Sequence, residues 1–314
     1  MLKLAGYFFL GESVLTPKDP KTFDEQLDIL EGRGLEVPVR SAALRHISMA
    51  NYFRLTGYRH PFLRAEEETF RPGTTFTQLW DLYRFDHRLR LLLMDGIERC
   101  EIAFRTRWAY ELAHRYGPHA YENVNLHRVA RIYSASLAKI DQEISRSHED
   151  FLQPYRTEKN SGRPPIWMVC EVMSLGLLSN SCRNLKAAAD RTAISAPFGL
   201  DEGVFTSFLH HLTLVRNFCA HHSRIWNRRF TITFQLPQTK PAALSPQLNK
   251  GADRLIYNTL ALLAWCLNQI EPENTWASRL SDLILTAPLD APPHMGFPTN
   301  WRSLPLWPSP PADS

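Results

Sequence analysis

The 314-residue sequence lacks a CxxC pair, a glycine-rich phosphate loop and any internal repeat. Its five cysteines are odd in number and widely spaced, so they support neither a zinc ribbon nor a disulfide framework. They stand at positions Cys100, Cys170, Cys182, Cys219 and Cys266. A reducing, cytoplasmic location is therefore expected.

Long apolar runs are also missing. The segment Leu255–Leu267 is about 13 residues long and contains Asn258, whereas a membrane-spanning helix needs about 20 residues. The first 15 residues carry one lysine and a short apolar run without a convincing cleavage site. The sequence therefore predicts neither a membrane span nor secretion.

What is present is ordinary for a soluble globular protein: 44% hydrophobic and 22% charged residues. A chain of this length buries roughly three quarters of its unfolded surface and needs no disulfide to fold. The net charge of +4 and the pI near 8.8 are mildly basic. This charge is compatible with a nucleic-acid partner but does not require one.

Helical periodicity dominates and predicts an all-α fold. A kink or loop is expected at Asp95-Gly96, and a loop with a short hairpin at 57–76. The helices are predicted at 22–32, 40–53, 76–116, 136–151, 167–186, 201–223, 253–270 and 275–286.

Three regions are expected: an N-terminal extension at 1–20, a helical domain at 21–286 and a tail at 287–314. Eight of the 22 prolines lie between 288 and 311, which predicts an irregular, non-helical tail. Its aromatic residues indicate that part of it packs back on the body, while the last few residues are expected to be loose.

The stretch VRNFCAHHSRIWNRR at 215–229 places many cationic groups beside apolar residues. On a helical wheel extended to residue 229, a polar stripe contains Asn217, His221, Arg224 and Arg228. A solvated basic face is the simplest interpretation. A metal site is not predicted, because Cys219, His221 and His222 are too close in sequence to reach one ion from a regular helix.

Acid–base chemistry on RNA is the more specific interpretation. Histidine exchanges protons near neutral pH, and arginine binds phosphate oxygens in a fork. RNA supplies its own nucleophile, the 2′-OH, so no metal or cofactor is needed. Arg216 and His221 provide both groups, but five residues separate them by about 140° on an ideal helix. Either the helix is distorted, or two copies of the motif meet across an interface.

Arg216-Asn217-Phe218-Cys219-Ala220-His221 resembles the R-N-x-x-A-H form of the Rx4–6H motif of HEPN ribonuclease domains. In order along residues 20–307, the chain also resembles the Abi family of phage abortive-infection proteins, in the AbiD/AbiF-like group. The similar stretches are FDEQLDILEGRGL, NYFRLTGYRHPF, LYRFDHRLRLLLMDGIERCEIAFRTRWAY, PPIWMVCEVMSLGLLSN, VRNFCAHHSRIWNR and MGFPTNWRSLPLW.

The resemblance implies a HEPN-like helical bundle with additional helices, a homodimer, and metal-independent cleavage that leaves a 2′,3′-cyclic phosphate and a 5′-OH. It implies that Arg216 stabilises the transition state, that His221 exchanges the proton and that Asn217 orients both.

Further residues are assigned weaker roles. The RNA contacts expected around the motif are His222, Arg224, Arg228 and Arg229, and His222 is the alternative proton-transfer residue. Asp86, Glu101 and Arg105 are candidates to line the RNA cleft. The simpler interpretation of Glu101 and Arg105 is a structural ion pair at i, i+4.

The sequence therefore predicts a cytoplasmic antiphage protein, an endoribonuclease toxin restrained by an RNA or protein antitoxin or by an inactive conformation. Two alternatives are a non-catalytic RNA-binding module and an interaction protein that senses a phage component. The intact Arg216–His221 pair favours catalysis over both.

Overall fold

The computed structural model describes residues 19–157 and 162–307, and its fold is all-α, as predicted. The described residues form thirteen α-helices and short 3-10 turns, with isolated β-bridges but no β-strand. In chain order the helices are α1 Phe23–Gly32, α2 Arg40–Ala50, α3 Tyr52–Thr56, α4 Phe76–Tyr116, α5 Ala130–Arg146, α6 Gln153–Thr157, α7 Ile166–Val172, α8 Leu175–Arg183, α9 Ala188–Ser195, α10 Glu202–Ala220, α11 Tyr257–Ile270, α12 Trp276–Leu285 and α13 Ala291–Met295.

The chain divides into two compact units between Asp81 and Leu82, within α4. Most of the predicted N-terminal extension, residues 1–18, and the last residues of the tail, 308–314, lie outside the described residues. None of the helices in 19–157 and 162–307 combines the length and the apolar character that a bilayer crossing requires.

In the first unit, α1 begins with the predicted capping box. The Glu25 N–H donates to Thr22 Oγ1 at 3.2 Å, and the Thr22 N–H donates to Glu25 Oε2 at 2.7 Å. Arg40 at the start of α2 binds the acidic face of α1, with 2.6 Å to Asp28. Leu27 and Leu30 are buried below this contact, so α1 and α2 form one packed pair.

The predicted helix 40–53 is wrong at its end. Asn51 has a φ of 64°, which stops α2, and its side chain caps α3 by accepting from the Phe53 N–H at 2.9 Å. The region predicted as a loop with a hairpin contains one antiparallel bridge between Leu63 and Phe70.

Of the kink or loop predicted at Asp95-Gly96, the loop is wrong, because α4 is helical throughout Phe76–Tyr116. Gly96 has a packing role instead. A Cβ atom there would lie 2.7 Å from Trp276 Nε1, and that indole N–H donates to the Leu92 carbonyl at 2.8 Å. The glycine therefore allows α12 to approach the backbone of α4 closely.

The predicted helix 167–186 is two helices, α7 and α8. Ser174 lies between them in extended conformation, and its side chain accepts from the Leu177 N–H at 3.3 Å, which starts α8. Helix α9 was not predicted, and α5 lies five to six residues before its predicted position.

Helix α10 lies in the middle of the second unit and packs against α8 and α9. Asp201 caps its start by accepting from the Gly203 N–H at 2.8 Å. On its inner side, Phe205 meets the edge of Phe104 from α4 with ring centroids 5.0 Å apart. Val215 is fully buried. The apolar residues Phe208, Leu212, Val215 and Cys219 form a seam along this helix that packs inside the chain.

His211, also on the inner side of α10, holds the chain that follows the helix. Its Nδ1–H donates to the Ile232 carbonyl at 2.7 Å, so Nε2 is the acceptor for the Thr259 hydroxyl at 2.8 Å. Burial lowers the pKa of His211 to about 4. The imidazole is therefore neutral at pH 7 and has a structural role.

The described part of the tail packs on α11. Phe297 and Trp307 are buried, and the Phe297 ring lies 4.8 Å from that of Tyr257. The Leu306 N–H donates to Gln247 Oε1 at 2.7 Å. The tail is not wholly irregular, because it contains the five-residue helix α13.

The close approach of α12 to α4 predicts the effect of Gly96→Ala. The added methyl overlaps the Trp276 indole, so the substitution should lower the free energy of unfolding by about 1–3 kcal/mol in urea denaturation.

Gly32→Ala is the matched control, because no atom lies within 4 Å of a Cβ at Gly32. That variant should be neutral or slightly stabilising. Equal stability of Gly96→Ala and the unmodified protein would contradict the packing role.

Candidate active site at the end of helix α10

Helix α10 ends at Ala220 in a Schellman motif. The His222 N–H donates to the Cys219 carbonyl at 3.0 Å, and the Ser223 N–H donates to the Phe218 carbonyl at 2.8 Å. His221 is the C-cap, with φ −89° and ψ 13°. The helix therefore ends within the RNFCAH motif.

This ending corrects the predicted polar stripe. The helix was expected to reach residue 223 and was extended to 229 on the wheel, but Arg224 and Arg228 lie beyond its end. His222 occupies the left-handed position with φ 57°, where glycine is the usual residue. A histidine at this strained position points to a constraint other than stability.

The three residues that the motif assigns to catalysis lie within the last turn and cap of α10. Arg216 and Asn217 are half-buried, and His221 is exposed. Arg216 Nη1 donates to Asn217 Oδ1 at 3.4 Å. The arginine is therefore held next to the asparagine, and the histidine is open to a ligand.

Behind this turn, a buried carboxylate holds the chain that follows the motif. Asp86 Oδ1 accepts from the Ile225 N–H at 3.0 Å and from the Trp226 N–H at 2.7 Å. Its other oxygen pairs with Arg90, and the Asp86 side chain is fully buried. Ile225 and Trp226 are themselves fully buried. Asp86 is thus used inside the protein, which speaks against its predicted place on a cleft surface.

Cys219 faces this ion pair from the motif. Burial raises the pKa of the Cys219 thiol to about 12, with a further increase from the Asp86 carboxylate and an opposing effect of Arg90. The thiol is protonated at neutral pH and is not suited to act as a nucleophile.

One of the predicted RNA contacts, Arg228, is held by the protein itself. The Arg228 guanidinium stacks on the Phe218 ring at 4.1 Å, and its Nε donates to the Arg224 carbonyl at 2.5 Å. Arg224 is half-buried. Of the four predicted contacts, His222 and Arg229 are the exposed ones.

Glu101 and Arg105 form the structural ion pair of the simpler interpretation, and both are largely buried. Arg105 also donates to the Met173 carbonyl and, at 3.1 Å, to the Glu171 carbonyl. These carbonyls belong to the end of α7. Arg105 therefore caps that helix end.

Sequence reasoning missed Arg90, which neutralises Asp86. The available signal was the i, i+4 spacing of Asp86 and Arg90 on a helix. Asp86 accepts from two backbone N–H groups that lie 139 and 140 residues away in the chain. No local sequence pattern predicts these two hydrogen bonds.

In the described ranges, no group of three or more His, Cys, Asp or Glu side chains is placed to hold a metal ion. The chain is thus an all-α protein with an Arg-Asn-His cluster at a helix end.

The sequence profile of the Abi-like proteins matches residues 45–227, more than half of the chain. The chain belongs to the Abi-like protein family, which supports a general role in abortive infection. No curated protein matches the chain. No solved structure matches it either.

The burial of Asp86 predicts a large effect of Asp86→Asn. This isosteric change leaves the buried Arg90 without its counter-charge, so it should lower the free energy of unfolding by about 3–5 kcal/mol, measured by urea denaturation at pH 7.

Asp95→Asn is the matched control on the same helix, because the Asp95–Arg279 pair is exposed. Asp95→Asn should lower the free energy of unfolding by less than about 1 kcal/mol. Similar losses for the two variants would show that the buried pair does not anchor the chain after α10.

Proposed function

We propose that this Abi-like protein is an antiphage ribonuclease toxin that cleaves RNA without a metal ion. The observation that supports this most is the position of Arg216, Asn217 and His221 at one helix end, with the histidine exposed and the arginine bound to the asparagine. The HEPN-type bundle and the AbiD/AbiF-like subgroup are part of this proposal.

The proposed reaction is a transfer within the RNA. The ribose 2′-OH attacks the adjacent phosphorus, the P–O5′ bond breaks, and the products are a 2′,3′-cyclic phosphate and a 5′-OH. A histidine takes the proton from the 2′-OH or gives one to the leaving 5′-oxygen. Arg216 binds the phosphate oxygens as negative charge accumulates in the transition state.

The proposal includes a homodimer. Arg216 and His221 are five residues apart, so their directions around α10 differ by about 140°. One copy of the motif is therefore a poor site by itself. A two-fold axis near the end of α10 brings the arginine of one chain next to the histidine of its mate. The buried seam that contains Phe208 and Leu212 is used within the chain, so the dimer must use other residues.

Exposed cationic groups near the motif complete the proposed RNA surface. His222 and Arg229 contact phosphates. Arg228 keeps the position that stacking on Phe218 gives it, and Arg224 is half-buried. A cytoplasmic toxin of this kind needs restraint in the uninfected cell, from an RNA or protein antitoxin or from an inactive conformation.

Purified protein should cleave total RNA in the presence of EDTA. His221→Ala and Arg216→Ala should each lower the cleavage rate at least 100-fold, because each removes a proton-transfer or charge-stabilising group. End mapping should find cyclic phosphates and 5′-OH groups, and both variants should lose toxicity in cells.

His114→Ala on α4 and Arg302→Ala in the tail are matched controls, because each removes an exposed side chain outside the motif, and both variants should cleave normally. A strict requirement for a divalent ion, or 5′-phosphate products, would exclude the proposed chemistry. RNA binding without cleavage would indicate a non-catalytic RNA-binding protein, and absence of both would favour a phage-sensing interaction protein.

The shared site predicts recovery of activity on mixing. Light scattering of the unmodified protein should give twice the chain mass. Heterodimers of Arg216→Ala with His221→Ala should regain cleavage, because one of their two sites then contains both an intact arginine and an intact histidine.

Differently tagged chains allow the heterodimer to be isolated before the assay. The heterodimer is made by unfolding and refolding the two variants together. Homodimers of each variant that are unfolded and refolded in the same way are the control. A fully active monomer would contradict the shared site, as would an isolated heterodimer without any activity.

A further inference from the structure

A groove of about 370 Å³ between α5 and α8 is lined by three cationic side chains. Arg131 and Lys139 come from α5, and Arg183 comes from the last turn of α8. All three are exposed. The other polar groups in the groove are Ser136 and Asn180, and none of its lining residues is acidic.

The cations of this groove have no acidic residue beside them in its lining. Several arginines of the second unit are paired with a carboxylate, as in Arg191–Glu202, Arg163–Asp141 and Arg115–Asp190. Arg131, Lys139 and Arg183 form no such ion pair within 19–157 and 162–307. Their charge is therefore available to an anionic ligand.

The groove lies close to the partly exposed face of α10. Helix α8 packs against α10. Burial lowers the pKa of His210 on α10, and the charge of Arg183 lowers it further. His210 and Asn217 are seven residues apart, which places them on the same side of the helix and about 10 Å apart along its axis. The partly exposed face of α10 thus connects the groove to the RNFCAH motif.

We infer that this groove binds the phosphate backbone of the RNA strand that is cleaved at the end of α10. The inference rests on the proposed function and extends it to a second binding site, formed by Arg131, Lys139 and Arg183.

The residues of the groove suit a phosphate backbone better than a small anion or a base. Arg131 and Lys139 are eight residues apart, about 12 Å along α5, whereas the phosphates of one nucleic-acid strand follow each other every ~3.4 Å along a helix. The two cations therefore match a row of phosphates. None of the lining side chains is aromatic, so base stacking, and with it sequence preference, is not expected.

The test measures binding, so that it does not depend on cleavage. A fluorescent oligouridylate is titrated into His221→Ala protein at several salt concentrations. The double variant Arg131→Gln/Lys139→Gln in this background removes two phosphate contacts. It should weaken binding at least tenfold at low salt and reduce the slope of log K against log salt by about 1.4.

The double variant Arg302→Gln/Lys250→Gln in the same background is the control, since both side chains are exposed and it removes the same charge outside the groove and away from α5. For this control, the slope of log K against log salt should equal that of the parent His221→Ala protein. Circular dichroism establishes that all variants are folded. Groove and control variants with the same affinity and slope would overturn the inference, as would a parent protein that does not bind RNA at low salt.

The two proposals fail in different ways. If unmodified protein binds RNA through the groove but does not cleave it, the ribonuclease mechanism is wrong and the groove stands. If it cleaves RNA while the groove variants bind normally, the groove inference is wrong and the mechanism stands.

Discussion

The candidate site depends on one buried carboxylate. Asp86 on α4 accepts hydrogen bonds from the backbone of Ile225 and Trp226, and Arg90 balances its charge. Removing ions from water is costly, and a buried pair is weak evidence for stability alone. Its value here is positional: it fixes the chain immediately after the Schellman end of α10. The cap residue His221 then stays at the surface, while Cys219 faces inward.

The same arrangement separates two kinds of polar residue. His211, Arg105 and Asp86 are largely or fully buried, and each hydrogen-bonds to backbone or side-chain groups of the chain, so they hold the structure together. Arg216, Asn217 and His221 are partly or fully exposed. Exposed proton-exchanging and phosphate-binding groups on a rigid helix end are what cleavage of a large substrate requires. In the proposed function, the groove on α5 and α8 adds charge for the rest of the strand.

Much of the fold could be predicted from local patterns. Thr22 and Glu25 predict the start of α1, and the spacing of apolar residues predicts α4, α10 and α11. The predictions of element boundaries failed where contacts between residues far apart in the sequence determine the structure. In the sequence, Gly96 indicates a helix break. In the structure it lies within α4, and Trp276, 180 residues later, packs against it. The end of α10 was placed too late because a histidine at the left-handed position is a weak stop signal. The residues of the motif were visible in the sequence, but their anchor, Asp86 with Arg90, was not.

The central claim is that the end of α10 cleaves RNA through the ribose 2′-OH. The most direct measurement uses DNA oligonucleotides of randomised sequence, each with a single ribonucleotide, incubated with the protein in EDTA. The account predicts one cut per strand, directly 3′ of the ribonucleotide, with a cyclic phosphate at the new end and no cut by His221→Ala. Cleavage between deoxynucleotides, or cleavage that survives in His221→Ala, would contradict it.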